Sequence, residues 1–300
     1  MPELPDIEHY LAALNARIRG IRLVSLTIQS PFLLRTVEPG VSDVMGLRVV
    51  DLKRIGKRIA IKLEHEIWLV IHLMIAGRLG WKPGSDKKRT RKTLAVFEFD
   101  SGNLILTEAG SKKRASLHIV KGREALSALD PQGLEILEVE QQAFAARLIM
   151  RNHTLKRALT DPRLFSGIGN AYSDEILHHA KLSPIAQTQK LNPAEIGRLY
   201  DSVFTVLQEW SARLIEQAGD EFPTKVTAFR SDMAVHGRYG ELCRDCGTEI
   251  QRIRYAQNEL NYCPRCQTGG RVLADRALSR LLKKDWPRTI EELELAKSKI

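Results

Sequence analysis

Four cysteines restrict this chain more than any other feature, because all of them fall between residues 243 and 266: Cys243-x-x-Cys246, sixteen intervening residues, then Cys263-x-x-Cys266. Two such knuckles predict one zinc ion in a tetrahedral four-thiolate site rather than a scattered disulfide framework. Four thiolates leave no open coordination position, so the metal is expected to hold a fold together and to activate no water. Between the knuckles, Arg252, Arg254, Tyr255 and Asn258 lie in a stretch the size of a β-hairpin with one basic side. Such a side either lies on a nucleic-acid backbone or is solvated.

A small metal finger cannot organise 300 residues, and 43% hydrophobic content suits two domains with separate cores. The net charge of +10 and a pI near 9.5 favour an anionic partner, nucleic acid first, while also fitting a membrane-surface or ribosome-associated protein. Met1-Pro2-Glu3 lacks a basic and apolar leader, and no apolar run reaches spanning length, so a cytoplasmic protein with no membrane partner is expected.

In chain order, Pro5 and Asp6 open a helix whose Ile7, Leu11, Leu14 and Ile18 recur at helical spacing up to Gly20. A strand-like pattern follows from Arg22 to Val120: Leu23 to Ile28, Val49 to Leu52, Ile59 to Leu63, Trp68 to Ile75, Leu94 to Phe99 and Leu104 to Thr107, with Asp100-Ser101-Gly102-Asn103 as a hairpin turn. Lys57 shares its parity with the core-facing Ile55, Ile59, Ile61 and Leu63. Either it meets an anion there, or a bulge at Gly56 turns it to solvent. His72 reads as a hydrogen-bonded core histidine more readily than as a catalyst. Helical spacing begins after a connector at 122–136: around Phe144 and Leu148, from Leu155 to Leu159, from Tyr172 to His179, and in a long helix opened by Asn192-Pro193-Ala194-Glu195. The turn Ser166-Gly167-Ile168-Gly169-Asn170 is either a tight interhelical connection or a phosphate-binding helix start.

The amino terminus carries the candidate chemistry. Removal of Met1 would expose Pro2 as a secondary α-amine, and α-amines titrate near ~7.7–8.0, so a useful fraction is nucleophilic at neutral pH. Its adduct with an aldehyde-level sugar carbon has no N–H proton to lose, stays cationic and draws electrons for elimination. Glu3 is the nearest acid in sequence.

These residues resemble the DNA glycosylase family of formamidopyrimidine-DNA glycosylase and endonuclease VIII. Pro2-Glu3-Leu4-Pro5 is similar to its amino-terminal signature, Lys57 stands at its β-domain lysine, and His72-Leu73 with Gly77 resembles its His-Leu-x-x-x-Gly segment. Gly167-Ile168-Gly169-Asn170-Ala171-Tyr172 with Glu175 resembles its helix-two-turn-helix element, and Gly237-Arg238 with the four cysteines its finger. The resemblance, over residues 2–267, implies an α+β protein. An amino-terminal helix and a mostly antiparallel β-sandwich domain would occupy 1–121, a linker 122–136, the helix-two-turn-helix domain 137–222, the finger 223–267 and an extension 268–300. It also implies base removal and strand nicking on damaged double-stranded DNA, with abasic or single-stranded DNA as further substrates, by a monomer. Pro2 would attack C1′, Glu3 would act as acid, Lys57 and Asn170 would hold phosphates, and Met74 or Ile75 would fill the void left by the flipped base.

Departures from the family pattern are equally specific. Ala109-Gly110-Ser111-Lys112-Lys113-Arg114-Ala115 replaces an Asp-Pro-Arg-Arg-Phe-Gly loop and lacks its aromatic wedge. Asp6 stands for a common glutamate. In the finger, Gln257-Asn258-Glu259-Leu260 lacks the arginine expected at the lesion phosphates, leaving Lys112, Lys113, Arg114, Arg252 and Arg254 as candidate DNA contacts beside Asn258. Leu278, Leu281 and Leu282, then Thr289 with Glu292 as a capping box, predict two short helices in the extension. The alternatives to a repair enzyme are a non-catalytic DNA-binding relative and a zinc-ribbon RNA- or ribosome-associated protein.

Overall fold

The computed structural model describes the chain except residues 85–89, 111, 225, 256–257, 276–278, 282, 284–285 and 299–300. It divides into two compact units, Met1–Gly133 with Gln208–Thr227, and Leu134–Leu207 with Ala228–Ile300. Among the described residues no helix is long and apolar enough to cross a membrane.

The first unit begins with helix α1 (Leu4–Ile18), which buries Ile7, Leu11, Leu14 and Ile18, as its spacing predicts, together with Tyr10. Gly20, at φ +77°, supplies the left-handed residue that turns the chain out of it. Eight strands follow: β1 (Leu23–Ile28), β2 (Val49–Ile55), β3 (Arg58–Leu63), β4 (Ile67–His72), β5 (Gly77–Pro83), β6 (Thr93–Phe99), β7 (Gly102–Glu108) and β8 (Ser116–Lys121). They form two antiparallel four-stranded sheets, ordered β1-β6-β7-β5 and β2-β3-β4-β8. Ile59, Ile61, Leu69 and Ile71 of one sheet share a core with Phe97, Leu104 and Leu106 of the other and with α1. The second sheet is covered on its other face too, where helix α2 (Gly122–Ser127) sets Leu126 among Ile55, Ala60, Trp68 and Val70. Burial on both faces is why β4 reads as a continuous apolar run.

Two expectations are corrected, and two strands are added to those expected. Lys57 is not in a strand: Gly56 (φ +59°) and Lys57 form the two-residue turn between β2 and β3, whose last pair is Ile55 with Arg58. The turn resets side-chain parity, so Ile55 faces α2 while Ile59, Ile61 and Leu63 face the main core. The strand expected to reach Ile75 stops at His72, because Met74 has φ +52°. Strands β5 and β8 went unread. The former carries two glycines and Pro83, tolerable because β5 is an edge. The Asp100-Ser101 hairpin is as expected, closing on Phe99 opposite Gly102.

The second unit holds α3 (Gln141–Ile149), α4 (Leu155–Thr160), α5 (Asn170–His179) and the start of α6 (Pro193–Ala218); Phe144 of α3 stacks on Phe165 at 5.0 Å and meets Tyr200 of α6 at 5.6 Å. The predicted cap of α6 is present, Asn192 and Glu195 exchanging side-chain to main-chain hydrogen bonds of 2.9 Å each. A hairpin, β9 (Gln251–Tyr255) with β10 (Asn258–Tyr262), precedes α7 (Pro264–Thr268), and α8 (Ile290–Lys297) lies in the extension. Thr289 caps α8 through the Glu292 N–H, as its motif predicts. Leu278 and Leu282 lie outside the described residues. Leu281 is in a helical turn but 78% exposed, so it forms no core there.

Candidate active site and nucleic-acid interface

Pro2, Glu3 and Asp6 are all buried at the head of α1. The Asp6 Oδ2 accepts the Glu3 N–H at 3.0 Å, so an aspartate closes the first turn of the helix. Met1 precedes them and is 39% exposed; the pKa of its amine is lowered from 8.0 by burial first, Glu3 and Asp6 opposing this while Arg78 and Lys57 add to it. Four charged side chains are therefore gathered around the amino terminus. Arg78 was missed in the sequence because its strand was missed. Its Nη1 also holds the β4–β5 loop through the carbonyls of Ile75 (3.1 Å) and Gly77 (2.7 Å).

That loop presents the expected void-filling pair. Ile75 is 55% exposed beside the left-handed Met74. The fourth residue after Leu73 must be glycine: a Cβ on Gly77 would collide with the Leu73 carbonyl oxygen and lie 3.0 Å from its carbon. Gly77→Ala should destabilise the protein by about 2–3 kcal/mol in urea unfolding, the usual cost of forcing atoms into a packed site. His72, opposite Arg58 and Ser116, has its pKa lowered to about 4 by burial first and by Arg58 and Lys57 next, so it is neutral at physiological pH.

In the loop that replaces the aromatic wedge, buried Glu108 accepts the N–H groups of Arg114 (3.0 and 2.9 Å) and Ala115 (3.2 Å). The Lys113 ammonium turns in to the Glu108 carbonyl, whereas Lys112 and Arg114 are exposed. Ser111 lies outside the described residues.

In the second unit Gly167 takes φ +82° in the turn before α5, and Asn170 is the first residue of that helix. The Asn170 amide donates to the Glu259 carbonyl of the hairpin at 2.7 Å. Lys156, unread in the sequence because one lysine in a short helix carries no pattern, donates to the Asn170 carbonyl at 2.6 Å and to Asp174 Oδ1 at 2.5 Å. An open groove of about 610 Å³ is lined by His153, Lys156, Arg157, Asn170, Gln187 and Glu259 among others. Beneath it two adjacent carboxylates tie α5 to the finger. Asp174 Oδ2 meets His236 Nδ1 at 2.7 Å and accepts the Asn261 N–H at 3.1 Å. Glu175 accepts the N–H groups of Ala234, Val235 and His236 at 2.6–2.9 Å.

The four cysteine sulfurs lie within 4.8 Å of one another, with Cys243 and Cys266 at 3.9 Å and Cys246 and Cys263 at 3.4 Å. A tetrahedron with Zn–S bonds of about 2.3 Å needs S···S edges of about 3.8 Å, so the set fits one zinc ion. His178 Nε2 stands 3.4 Å from the Cys243 sulfur, where it can support a thiolate. Of the finger arginines, Arg252 lies over the Tyr239 ring at 4.0 Å and 3.6 Å from Glu259. Arg254 is 63% exposed, with Glu259 at 3.8 Å. Asn258 opens β10 opposite Tyr255, but its side chain lies outside the described residues.

Comparison with known proteins agrees with this arrangement in each region. Residues 1–114 match the formamidopyrimidine-DNA glycosylase N-terminal domain, 129–216 its H2TH domain, and 240–269 the zinc finger found in FPG and IleRS. The formamidopyrimidine-DNA glycosylase of Heliobacterium modesticaldum is 33% identical over 285 residues, covering 89% of this chain and all of the relative. An uncharacterized formamidopyrimidine-DNA glycosylase-like protein of Mycobacterium tuberculosis is 40% identical over 151 residues, half of this chain. Among solved structures, the Lactococcus lactis enzyme bound non-covalently to DNA containing an abasic site superposes with a TM-score of 0.78 at 25% identity, covering 89% of this chain and 99% of that one. MutM in complex with DNA containing carbocyclic 8-oxo-G gives a TM-score of 0.78 at 26% identity, over 89% of this chain and all of that one. With complete relatives matched from end to end, the chain belongs to the formamidopyrimidine-DNA glycosylase family.

Proposed function

We propose that this protein is a DNA glycosylase with abasic-site lyase activity, excising damaged bases from double-stranded DNA in base excision repair within the cytoplasm. The observation that carries the reading is the amino terminus: Pro2 and Glu3 are buried at the head of α1, and Asp6, Lys57 and Arg78 act on the terminal amine beside them, in a chain that spans whole relatives named formamidopyrimidine-DNA glycosylase. After loss of Met1, the Pro2 nitrogen attacks C1′ of the damaged nucleotide and the base departs. Glu3 protonates the ring oxygen, the sugar opens, and the cationic iminium on Pro2 favours loss of the 3′- and then the 5′-phosphate. Lys57 meets a phosphate from its hairpin tip. Lys156 and Asn170 hold backbone oxygens at the groove, the Asn170 amide keeping a second N–H for that purpose. Ile75 fills the stack. Bound zinc supplies structure to the finger and takes no part in a bond-breaking step.

The test is incision and borohydride trapping on two duplexes, one with an abasic site and one with 8-oxoguanine opposite cytosine. Both adduct and nick are expected on the abasic duplex. Activity on the second should be weak, because the 109–115 loop lacks an aromatic wedge. Tight binding of abasic DNA with neither adduct nor nick would replace this reading by that of a non-catalytic clamp.

A further inference from the structure

The match to the family's zinc finger ends at residue 269, short of the extension. It does not hang free of the finger. Leu273, 3% exposed, completes an apolar cluster with Ile253, Leu260 and Tyr262 of the hairpin, and its N–H donates to the buried Tyr262 hydroxyl at 2.7 Å. Two residues on, Asp275 is 4% exposed and its Oδ2 accepts the Arg254 N–H at 2.8 Å. Strand β10 occupies one edge of β9, so this carboxylate sits where a third strand would offer a carbonyl. The chain then returns: Val272 donates to the Arg288 carbonyl at 2.8 Å and Ile290 to that of Gly270 at 3.0 Å, burying Ile290. A two-stranded hairpin is marginal by itself, and this one receives an apolar cover from Leu273 and an edge partner from Asp275.

We propose that residues 270–275 with 288–290 are a positioning element for DNA binding, in which Asp275 and Leu273 fix the hairpin so that the exposed Arg254 is held for a phosphate. Asp275 is a positioning residue: it touches the main chain of Arg254, not DNA. The consequence for affinity rests on the DNA-binding reading above.

The experiment uses the full-length zinc-loaded protein and its Asp275→Ala, Asp275→Asn, Arg254→Ala and Asp275→Ala/Arg254→Ala variants, with a duplex carrying an abasic-site analogue. Asp275→Ala should keep its zinc, exchange the amides of 251–255 and 259–262 faster, bind about 10-fold more weakly, and lose about one phosphate from the salt dependence. Asp275→Asn, which keeps an oxygen at the same place, should restore most of the affinity. The double variant should bind no worse than Arg254→Ala, since both changes remove one contact. Loss of zinc from Asp275→Ala, unchanged exchange, or additive losses in the double variant would overturn the proposal. A natural protein that ignores the duplex overturns the DNA-binding reading and this inference with it; one that binds, beside an Asp275→Ala variant that binds equally well, overturns this inference alone.

Discussion

Retention of Met1, or replacement of Pro2 by glycine, should remove most of the covalent chemistry: no borohydride-stable adduct with the blocked chain, and incision slowed about 100-fold or more by Pro2→Gly. Intact mass shows which terminus a preparation carries, and peptide mapping of the trapped adduct locates the bond. The dependence on pH follows from the amine. Its neutral form is the nucleophile; in the chain that still carries Met1 the terminal amine is lowered from 8.0 by burial first, and Pro2, itself buried, puts the amine exposed by Met1 removal under the same influence. Lyase rates should therefore rise with pH and level off below pH 8. Glu3→Gln should impair base removal more than cleavage at a preformed abasic site. An adduct on a lysine, or equal trapping by Pro2→Gly, would move the chemistry elsewhere.

Metal removal should have the other large effect. Structural zinc in small fingers contributes roughly 10–16 kcal/mol of apparent binding free energy that is also folding free energy. Cys263, fully buried among the sulfurs, is the position to change. Cys263→Ser should release the metal, unfold the hairpin and weaken DNA binding at least about 100-fold, since Arg254 and the Glu259 carbonyl partner of Asn170 move with it. The β unit, whose core contains none of the residues from Cys243 to Cys266, should still unfold cooperatively in urea. Zinc quantitation beside DNA affinity checks both statements, and a zinc-free protein that binds normally would contradict them.

Spacing made the zinc ligands legible, and parity made α1 and most strands legible, because each depends on a repeat within a short window. Features that depend on the partner across space were hidden. Lys57 looked like an inward lysine because parity was carried through a turn. Arg78 and Lys156 are single cations whose meaning comes from the terminus and from Asn170. Asp275 is one acid in a basic tail until β9 is placed beside it. Gly77 was read as a motif letter, and its cause is a carbonyl four residues earlier.

The paired carboxylates Asp174 and Glu175 bear on how such a chain can be recombined. Finger modules are attractive as interchangeable cassettes, with a graft junction placed in the loop before the first cysteine. Here the sockets are on α5 and their plugs are the main chain at 234–236, the His236 ring and the Asn261 N–H. A foreign finger spliced at residue 240 would keep the first plugs and lose the register of the last, leaving part of Asp174 buried without its partner. A successful swap must travel with its own α5, or must reproduce at Asn261 the main-chain position that Asp174 expects.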